Sequence, residues 1–475
     1  MSGEIPGPAA YGFWTLDQVA RALDGLAAGA VPAGARPLRA VATDTRVLAA
    51  GDLFVALAGE RYDAHDYLAD AVGAGAAALV VNDARRAAGL GVPAYEVPDT
   101  RVALGRLARH WRRAWGQAGR LVVGVAGSNG KTSTKELLRA ALGSARRVHA
   151  TAANLNNLVG VPLTLLATPP DAEVAVVEMG TNAPGEIAAL RAVAEPDVVV
   201  LTSIGEEHLE GLGDLAGVLR EESDAFEGAA LAVTPADQPE VAAAARGRAR
   251  AVLSAGLDAG DVRAERWWLD PHGSGGVVLD GVEVRTPLRG AHNLRNLMLA
   301  LAAARAAGVP VADAARGLAA MPVPSMRAAW QPLGRAALIN DAYNANPPST
   351  RAAIDLLAAA GAAPGGVPRQ RVAVLGTMRE LGAHADRLHD EVARRALGAG
   401  LDVVAGVGEA ADALARVAPG DPRVVLAPDP EALWPLLAPR LAPDAVILLK
   451  ASRGVRLERL VPHLEAWAGA PGAAS

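Results

Sequence analysis

The sequence predicts a mixed α/β protein of two or three domains, and three observations predict it. The chain has 475 residues, more than one ordinary core accommodates. From residue 121 onward, short apolar runs alternate with helical stretches, the pattern of a mostly parallel sheet covered on both faces. Pro322 and Pro324 interrupt the alternation, which then resumes, so a linker followed by a further open α/β unit is expected.

The elements follow in order. Residues 52–56 and 77–81 are short β-type runs, the second preceded by an Ala-rich helical segment, and Pro98 with Asp99 closes this region. Runs at 121–126, 173–179, 197–204 and 229–234 read as buried strands, each followed by a helix; the first helix covers about 131–142. Residues 263–287 read as a small antiparallel insertion with turns at 273–276 and 280–281, and a long Ala/Leu helix follows over about 292–307. Beyond the prolines, strands are expected at 336–341, 371–375, 402–405, 423–426 and 445–449. The Ala-rich stretches 242–245 and 358–363 read as helix or loop, and residues 470–475 as frayed. No internal repeat is evident.

Composition narrows the function. A net charge of −5 argues against a nucleic-acid partner or a charged membrane surface. The N-terminus lacks the basic start and apolar segment of a signal peptide, and no stretch suits a bilayer, so no membrane insertion is expected. The absence of cysteine removes disulfides, thiolate zinc sites and thiol nucleophiles. Of 46 basic residues only Lys131, Lys135 and Lys450 are lysine. A lysine that survives such a bias toward arginine marks a place where a compact point charge is needed and a planar guanidinium does not serve, although chance survival explains Lys135 equally well.

Gly127, Ser128, Asn129, Gly130, Lys131 and Thr132 follow a strand and open a helix, the context in which a glycine-rich loop binds phosphate. Lys131 is expected to bridge the β- and γ-phosphates of ATP and the Thr132 hydroxyl to bind Mg²⁺, with Ser133 beside them in the first turn. The glycine spacing departs from G-x4-G-K-[ST], because Val125 stands at the first position. A glycine turn alone explains the glycines but not the lysine. Glu178 ends a strand, where ligands bind in parallel sheets, and is a candidate carboxylate for Mg²⁺. His208 follows another strand end and gains weight as a ligand only from that company.

In combination these residues resemble the Mur ligase family. Gly127 to Thr132, Glu178-Met179-Gly180 and Ile204-Gly205-x-x-His208-Leu209-Glu210 stand in the family's order and spacing. His292-Asn293-x-x-Asn296 is similar to its adenine-side motif. Asp341-Ala342-Tyr343-Asn344-Ala345-Asn346-Pro347 resembles the signature of the branch that adds D-alanyl-D-alanine, and Thr43-Asp44-Thr45-Arg46 resembles that branch's uridine-nucleotide domain. Asn154-Leu155-Asn156-Asn157 fits as well, and no Asp-Asn-Pro-Arg motif of the diaminopimelate- or lysine-adding branch occurs.

The resemblance implies three domains: a UDP-substrate domain over 1–100, a central ATP-binding domain over 101–322 and a C-terminal Rossmann-like domain over 323–475. It implies that Arg327, Asp341 and Asn344 reach the ATP, and that Asn346, Lys450, Ser452 and Arg453 serve the amine substrate. It implies an ATP-dependent amide ligase acting through an acyl phosphate. The substrates would be UDP-N-acetylmuramoyl-tripeptide and D-alanyl-D-alanine, the cofactors ATP and two Mg²⁺ ions, and the form a cytoplasmic monomer. The chief departure lies fourteen residues after His208, where the family carries a carbamylated lysine that helps hold the second ion. Here Glu222 stands, preceded by Glu221, and Glu222 is expected to supply the carboxylate directly, completing a metal set of Thr132, Glu178, His208 and Glu222. Smaller departures are Asn340, Thr377, Ala451 and Met326. Two other readings stay open. A folate polyglutamate ligase would not need the Thr43 region. A non-ligating ATPase would release phosphate without either substrate.

Overall fold

The computed structural model describes residues 11–59, 62–117, 119–360 and 369–469. The expected frayed tail, most of the stretch read for a signal peptide and the end of the second Ala-rich stretch lie outside them.

The first sheet is parallel throughout and runs in chain order: β1 (Val41–Ala42), β2 (Leu53–Val55), β3 (Ala78–Val81) and β4 (Ala94–Glu96). β2 and β3 are buried along their whole length, which is why they read as unbroken apolar runs. Asp99 caps the helix Thr100–Gly116 by accepting hydrogen bonds from the Arg101 and Val102 amides. Trp111 and Trp115 of that helix sit in a core shared by the first sheet and the one that follows.

The second sheet is parallel and comprises β5 (Leu121–Ala126), β6 (Val148–Ala150), β7 (Val174–Glu178), β8 (Val198–Leu201), β9 (Leu231–Pro235), β10 (Val252–Gly256) and β11 (Val262–Arg263). Its order is β11-β10-β9-β8-β5-β7-β6, so β5 lies between β8 and β7. The insertion is the expected antiparallel meander of β12 (Arg266–Leu269), β13 (Gly275–Leu279) and β14 (Val282–Thr286). The helix Ala291–Ala306, apolar through its middle from Leu297 to Ala304, is buried against the helix Lys131–Gly143.

Residues 321–324 carry no regular structure. The third sheet has the order β15-β16-β20-β17-β18-β19, formed by β15 (Ala329–Leu333), β16 (Ala336–Asp341), β17 (Arg371–Leu375), β18 (Val403–Val407), β19 (Val424–Ala427) and β20 (Val446–Lys450). Only β15 is antiparallel, and the sequence pattern missed it. It is an edge strand with Pro332 and an exposed Gln331, so it lacks the apolar run of its neighbours. Leu209 and Leu212 from the second unit pack into the core of the third, and the Glu210 amide donates to the Glu380 carbonyl at 3.1 Å. The carboxyl ends of β5, β7, β8, β16 and β20 thus surround one cleft of about 780 Å³.

Candidate active site

The loop after β5 is shaped by two glycines in the left-handed region. Gly127 has φ 113°, and a Cβ there would lie 2.6 Å from Thr202 Oγ1; Gly130 has φ 86°, and a Cβ there would meet the Asn296 amide at 2.6 Å. Three loop amides are committed inside the protein. Gly127 N–H donates to Glu222 Oε2 at 2.7 Å, Ser128 N–H to the Ser203 carbonyl at 2.7 Å and Asn129 N–H to Ser203 Oγ at 3.2 Å. The donors left for an anion run from the Gly130 amide through the first helical turn to Ser133, with the partial positive charge of the helix terminus behind them. An anion bound here would therefore be held by amides later in the loop than the first glycine suggested.

The Lys131 ammonium curls back onto this loop. It donates to the Gly127 carbonyl and to the Ser128 carbonyl at 3.1 Å, and pairs with Glu207 at 3.3 Å. Burial works against its charge, but the carboxylates of Glu207, Glu222 and Glu178 outweigh burial and hold its pKa above the ordinary value. Glu178 is buried at the end of β7. Its Oε1 accepts from Thr132 Oγ1 at 3.1 Å and from Asn156 Nδ2 at 2.9 Å, and its Oε2 is buried with no partner.

Glu222 is fully buried, with Oε1 also lacking a partner. Burial, partly offset by Lys131, pushes its pKa up to about 7. Glu221 faces the other way and accepts from the Gly185 and Ile187 amides at the start of the helix Glu186–Ala194. Of the two adjacent glutamates only Glu222 meets the phosphate loop. Because its folded-state pKa lies above the unfolded one, the carboxylate destabilises the fold as pH rises from about 4.5 through 7. Glu222→Gln keeps an acceptor for Gly127. It is expected to raise stability above pH 8 by on the order of 2–3 kcal/mol and to leave it nearly unchanged at pH 4.5. Thermal unfolding of the nucleotide-free variant at the two pH values checks this.

His208, at φ 52°, pairs through Nδ1 with Glu380 at 2.5 Å. Burial opposes its proton, while Glu380 and Glu207 favour it, and its pKa is raised. Thr132 and Glu178 are thus brought together, whereas His208 is engaged by the third unit. Among the described residues no three or more His, Asp or Glu side chains are spaced to hold an ion, so the four expected metal ligands do not form one ready-made set.

Asn154, Asn157, His292, Asn293 and Asn296 line the cleft from the second unit, and Arg327, Asp341, Asn344, Asn346 and Lys450 from the third. Burial lowers the His292 pKa to about 4, so its ring is neutral. Lys450 pairs with Asp341 at 2.6 Å, and Arg327 lies over the Tyr343 ring at 4.3 Å. Asn346 caps the helix Pro347–Ala359 and donates to Glu207 at 3.3 Å. Ser452 and Arg453 do not line the cleft. Ser452 Oγ bridges the Ala345 carbonyl and the Arg379 amide, and Arg453 pairs with Glu458. Thr43, Asp44, Thr45 and Arg46 follow β1 at the far unit, with Asp44 and Arg46 paired to each other.

Three family models match the chain: "Mur ligase family, catalytic domain" over 37–112, "Mur ligase middle domain" over 125–304 and "Mur ligase, glutamate ligase domain" over 327–453. The UDP-N-acetylmuramoyl-tripeptide--D-alanyl-D-alanine ligase of Escherichia coli K12 is 36% identical over 440 residues, 90% of this chain and 94% of that protein. The chain belongs to the Mur ligase family. Its fold is that of solved members. MurF from Acinetobacter baumannii superimposes with a TM-score of 0.84 at 30% identity, covering 95% of this chain and 99% of that one. MurF from Thermotoga maritima in complex with ADP gives 0.76 at 29%, covering 90% and 97%. Against the family pattern, Met326 adopts φ 55°, the left-handed region that makes glycine common there. Thr377 Oγ1 accepts from the Glu409 amide, and Asn340 Oδ1 from the Ala342 amide, so these two departures act locally.

The residues that sequence reasoning missed in this Mur ligase join the second and third units. Glu207 lies between Lys131 and Asn346, Glu380 holds His208, and Arg351 pairs with Glu206 at 2.8 Å. Arg351→Ala combined with Glu380→Gln removes two partly exposed contacts worth at most about 1 kcal/mol each. The nucleotide-free double variant is expected to show a larger radius of gyration by X-ray scattering and a few-fold lower turnover. Unchanged scattering would exclude a latch here.

Proposed function

We propose that this chain is an ATP-dependent ligase that joins D-alanyl-D-alanine to UDP-N-acetylmuramoyl-tripeptide, giving UDP-N-acetylmuramoyl-pentapeptide, ADP and phosphate in peptidoglycan precursor synthesis. The observation that carries it is the match over 90% of the chain to the Escherichia coli enzyme of that activity. The cleft supports it. A carboxylate is a poor acylating group because oxide is a poor leaving group. In the proposed reaction the tripeptide carboxylate oxygen attacks the γ-phosphorus of ATP, ADP leaves, and an acyl phosphate forms. The amine of D-alanyl-D-alanine then attacks the acyl carbon, a proton is lost from nitrogen, and phosphate departs.

Lys131 exchanges its loop carbonyls for the phosphate oxygens and offsets the charge that develops between two anionic reactants. The neutral His292, with Asn293 and Asn296, borders the nucleotide from the long helix. Arg327, Asp341 and Asn344 approach it from the third unit, whose closure keeps water from the acyl phosphate. Thr43 to Arg46 take the uridine end, and Asn154, Asn157, Asn346, Lys450, Ser452 and Arg453 belong to the substrate side. Of these, Ser452 and Arg453 act through neighbouring residues, given their present partners.

Glu178 Oε2, buried and without a partner beside the Thr132 hydroxyl, fits one Mg²⁺. The ion supplies charge neutralisation on the phosphates. Glu222 Oε1 is equally open, so a second ion through Glu222 and His208 belongs to the proposal once His208 parts from Glu380. The division at about 100 and 322, a cytoplasmic location and a monomeric state complete this reading. Phosphate release measured with and without each substrate, alongside detection of the pentapeptide product, tests it; release that needs neither substrate would identify a different ATPase.

A further inference from the structure

Lys135 is one of only three lysines in the chain, and the mechanism above makes no use of it. It lies one helical turn after Lys131 and is 2% exposed. Its Nζ donates to the Thr151 carbonyl at 2.8 Å and pairs with Glu136 at 3.0 Å. Thr151 stands at a point where regular structure ends. The pairing of β6 with β7 stops at Ala150 opposite Val176, so the buried Glu178 amide has no ladder partner on that side. Thr151 fills the gap: its own N–H donates to the Val176 carbonyl at 3.0 Å, and its Oγ1 accepts from Glu178 N–H at 2.9 Å. The chain beyond Thr151 then returns to the same carboxylate, because Asn156 donates to Glu178 Oε1 at 2.9 Å while its carbonyl accepts from Gly180 N–H at 2.8 Å.

We infer that Lys135 is a positioning residue that fixes the Glu178 carboxylate for the cation, by anchoring Thr151 and with it the 151–157 loop. The ammonium suits the place and a guanidinium does not. The site is closed, two acceptors converge on one point, and the five donors of arginine would not all find partners there. This accounts for a lysine retained where arginine otherwise prevails. The inference rests on the reading of Glu178 as the Mg²⁺ ligand proposed above.

The test is calorimetric binding of the non-hydrolysable analogue AMP-PNP, with and without Mg²⁺, to the full-length parent, Lys135→Met, Thr151→Val and Glu178→Gln. The metal-dependent gain in affinity is the readout. Groups that orient a ligating side chain typically contribute about 10–100-fold to metal affinity. Lys135→Met is therefore expected to lose at least about tenfold of that gain, while its affinity for metal-free analogue stays within twofold of the parent. A role in packing alone would not separate these two numbers. Thr151→Val removes only the hydroxyl and is expected to lose part of the gain; it decides the matter if Lys135→Met does not fold. Loss in Glu178→Gln with an unchanged gain in Lys135→Met, or in Thr151→Val where that variant stands in for it, overturns the positioning role alone. An unchanged gain in Glu178→Gln overturns the ligand assignment and this inference with it.

Discussion

Lys131→Ala is expected to slow formation of UDP-N-acetylmuramoyl-pentapeptide by at least about 10²–10³-fold at saturating substrates, the range for removing one preorganised charge-stabilising donor. The argument is geometric. Lys131 is the one lysine on the loop, it already holds two loop carbonyls, and three acidic side chains keep it charged. Alanine leaves Glu207 with only Asn346 and the more distant His208 ring at 4.0 Å, and removes the positive charge from the position where phosphate oxygens arrive. Lys131→Arg is expected to recover little, because a planar fork does not fit a point-charge position surrounded by loop carbonyls. Product formation followed by chromatography with a parallel phosphate assay measures both variants. Parental rates in Lys131→Ala would remove the basis of the functional reading.

Glu178→Gln should produce the second largest loss, about 10²-fold at low millimolar Mg²⁺, with partial recovery as Mg²⁺ is raised. Glutamine is nearly isosteric, and its carbonyl can still accept from Thr132 and Asn156. The change falls on Oε2, the buried oxygen that has no protein partner. There an anionic acceptor becomes an N–H donor aimed at the cation. Steady-state rates over a Mg²⁺ titration decide it, and a parallel titration of Glu222→Gln separates the two carboxylates. If rate and Mg²⁺ requirement in Glu178→Gln match the parent, the metal assignment is wrong.

The sequence made several interior strands readable and two of the edges obscure, for one physical reason, although the interior strand β10 escaped it and the edge strand β19 did not. β16 and β17 are covered on both faces, so 336–339 and 372–375 are continuous apolar runs with sharp ends at Asn340 and Arg371. β6 and β15 are edges; they carry His149 and Pro332, and nothing in their composition separates them from loop. The same contrast governs the cleft. Lys131, Thr132 and Glu178 announce themselves because they sit at fixed offsets from a buried strand. Glu207 reads as one of two surface acids, and only the approach of Asn346 from 139 residues away makes it part of the site. Glu221 and Glu222 are neighbours in sequence, yet successive helix positions differ by about 100°, and that rotation alone sends one to a helix end and the other to the phosphate loop. The family resemblance puts Ser452 on the substrate side with Lys450, but the backbone turn after β20 carries its hydroxyl onto the Ala345 carbonyl.

The grouping of Glu178, Glu207 and Glu222 around the Lys131 ammonium also sets the terms of entry. With acids outnumbering the base, an uncomplexed triphosphate meets repulsion before it meets the helix terminus, whereas a nucleotide that arrives already wrapped around a divalent ion carries its own neutralisation. On the proposed reading, chelated and free forms of the same molecule are expected to be sorted at the mouth, with surplus bare nucleotide a weak competitor.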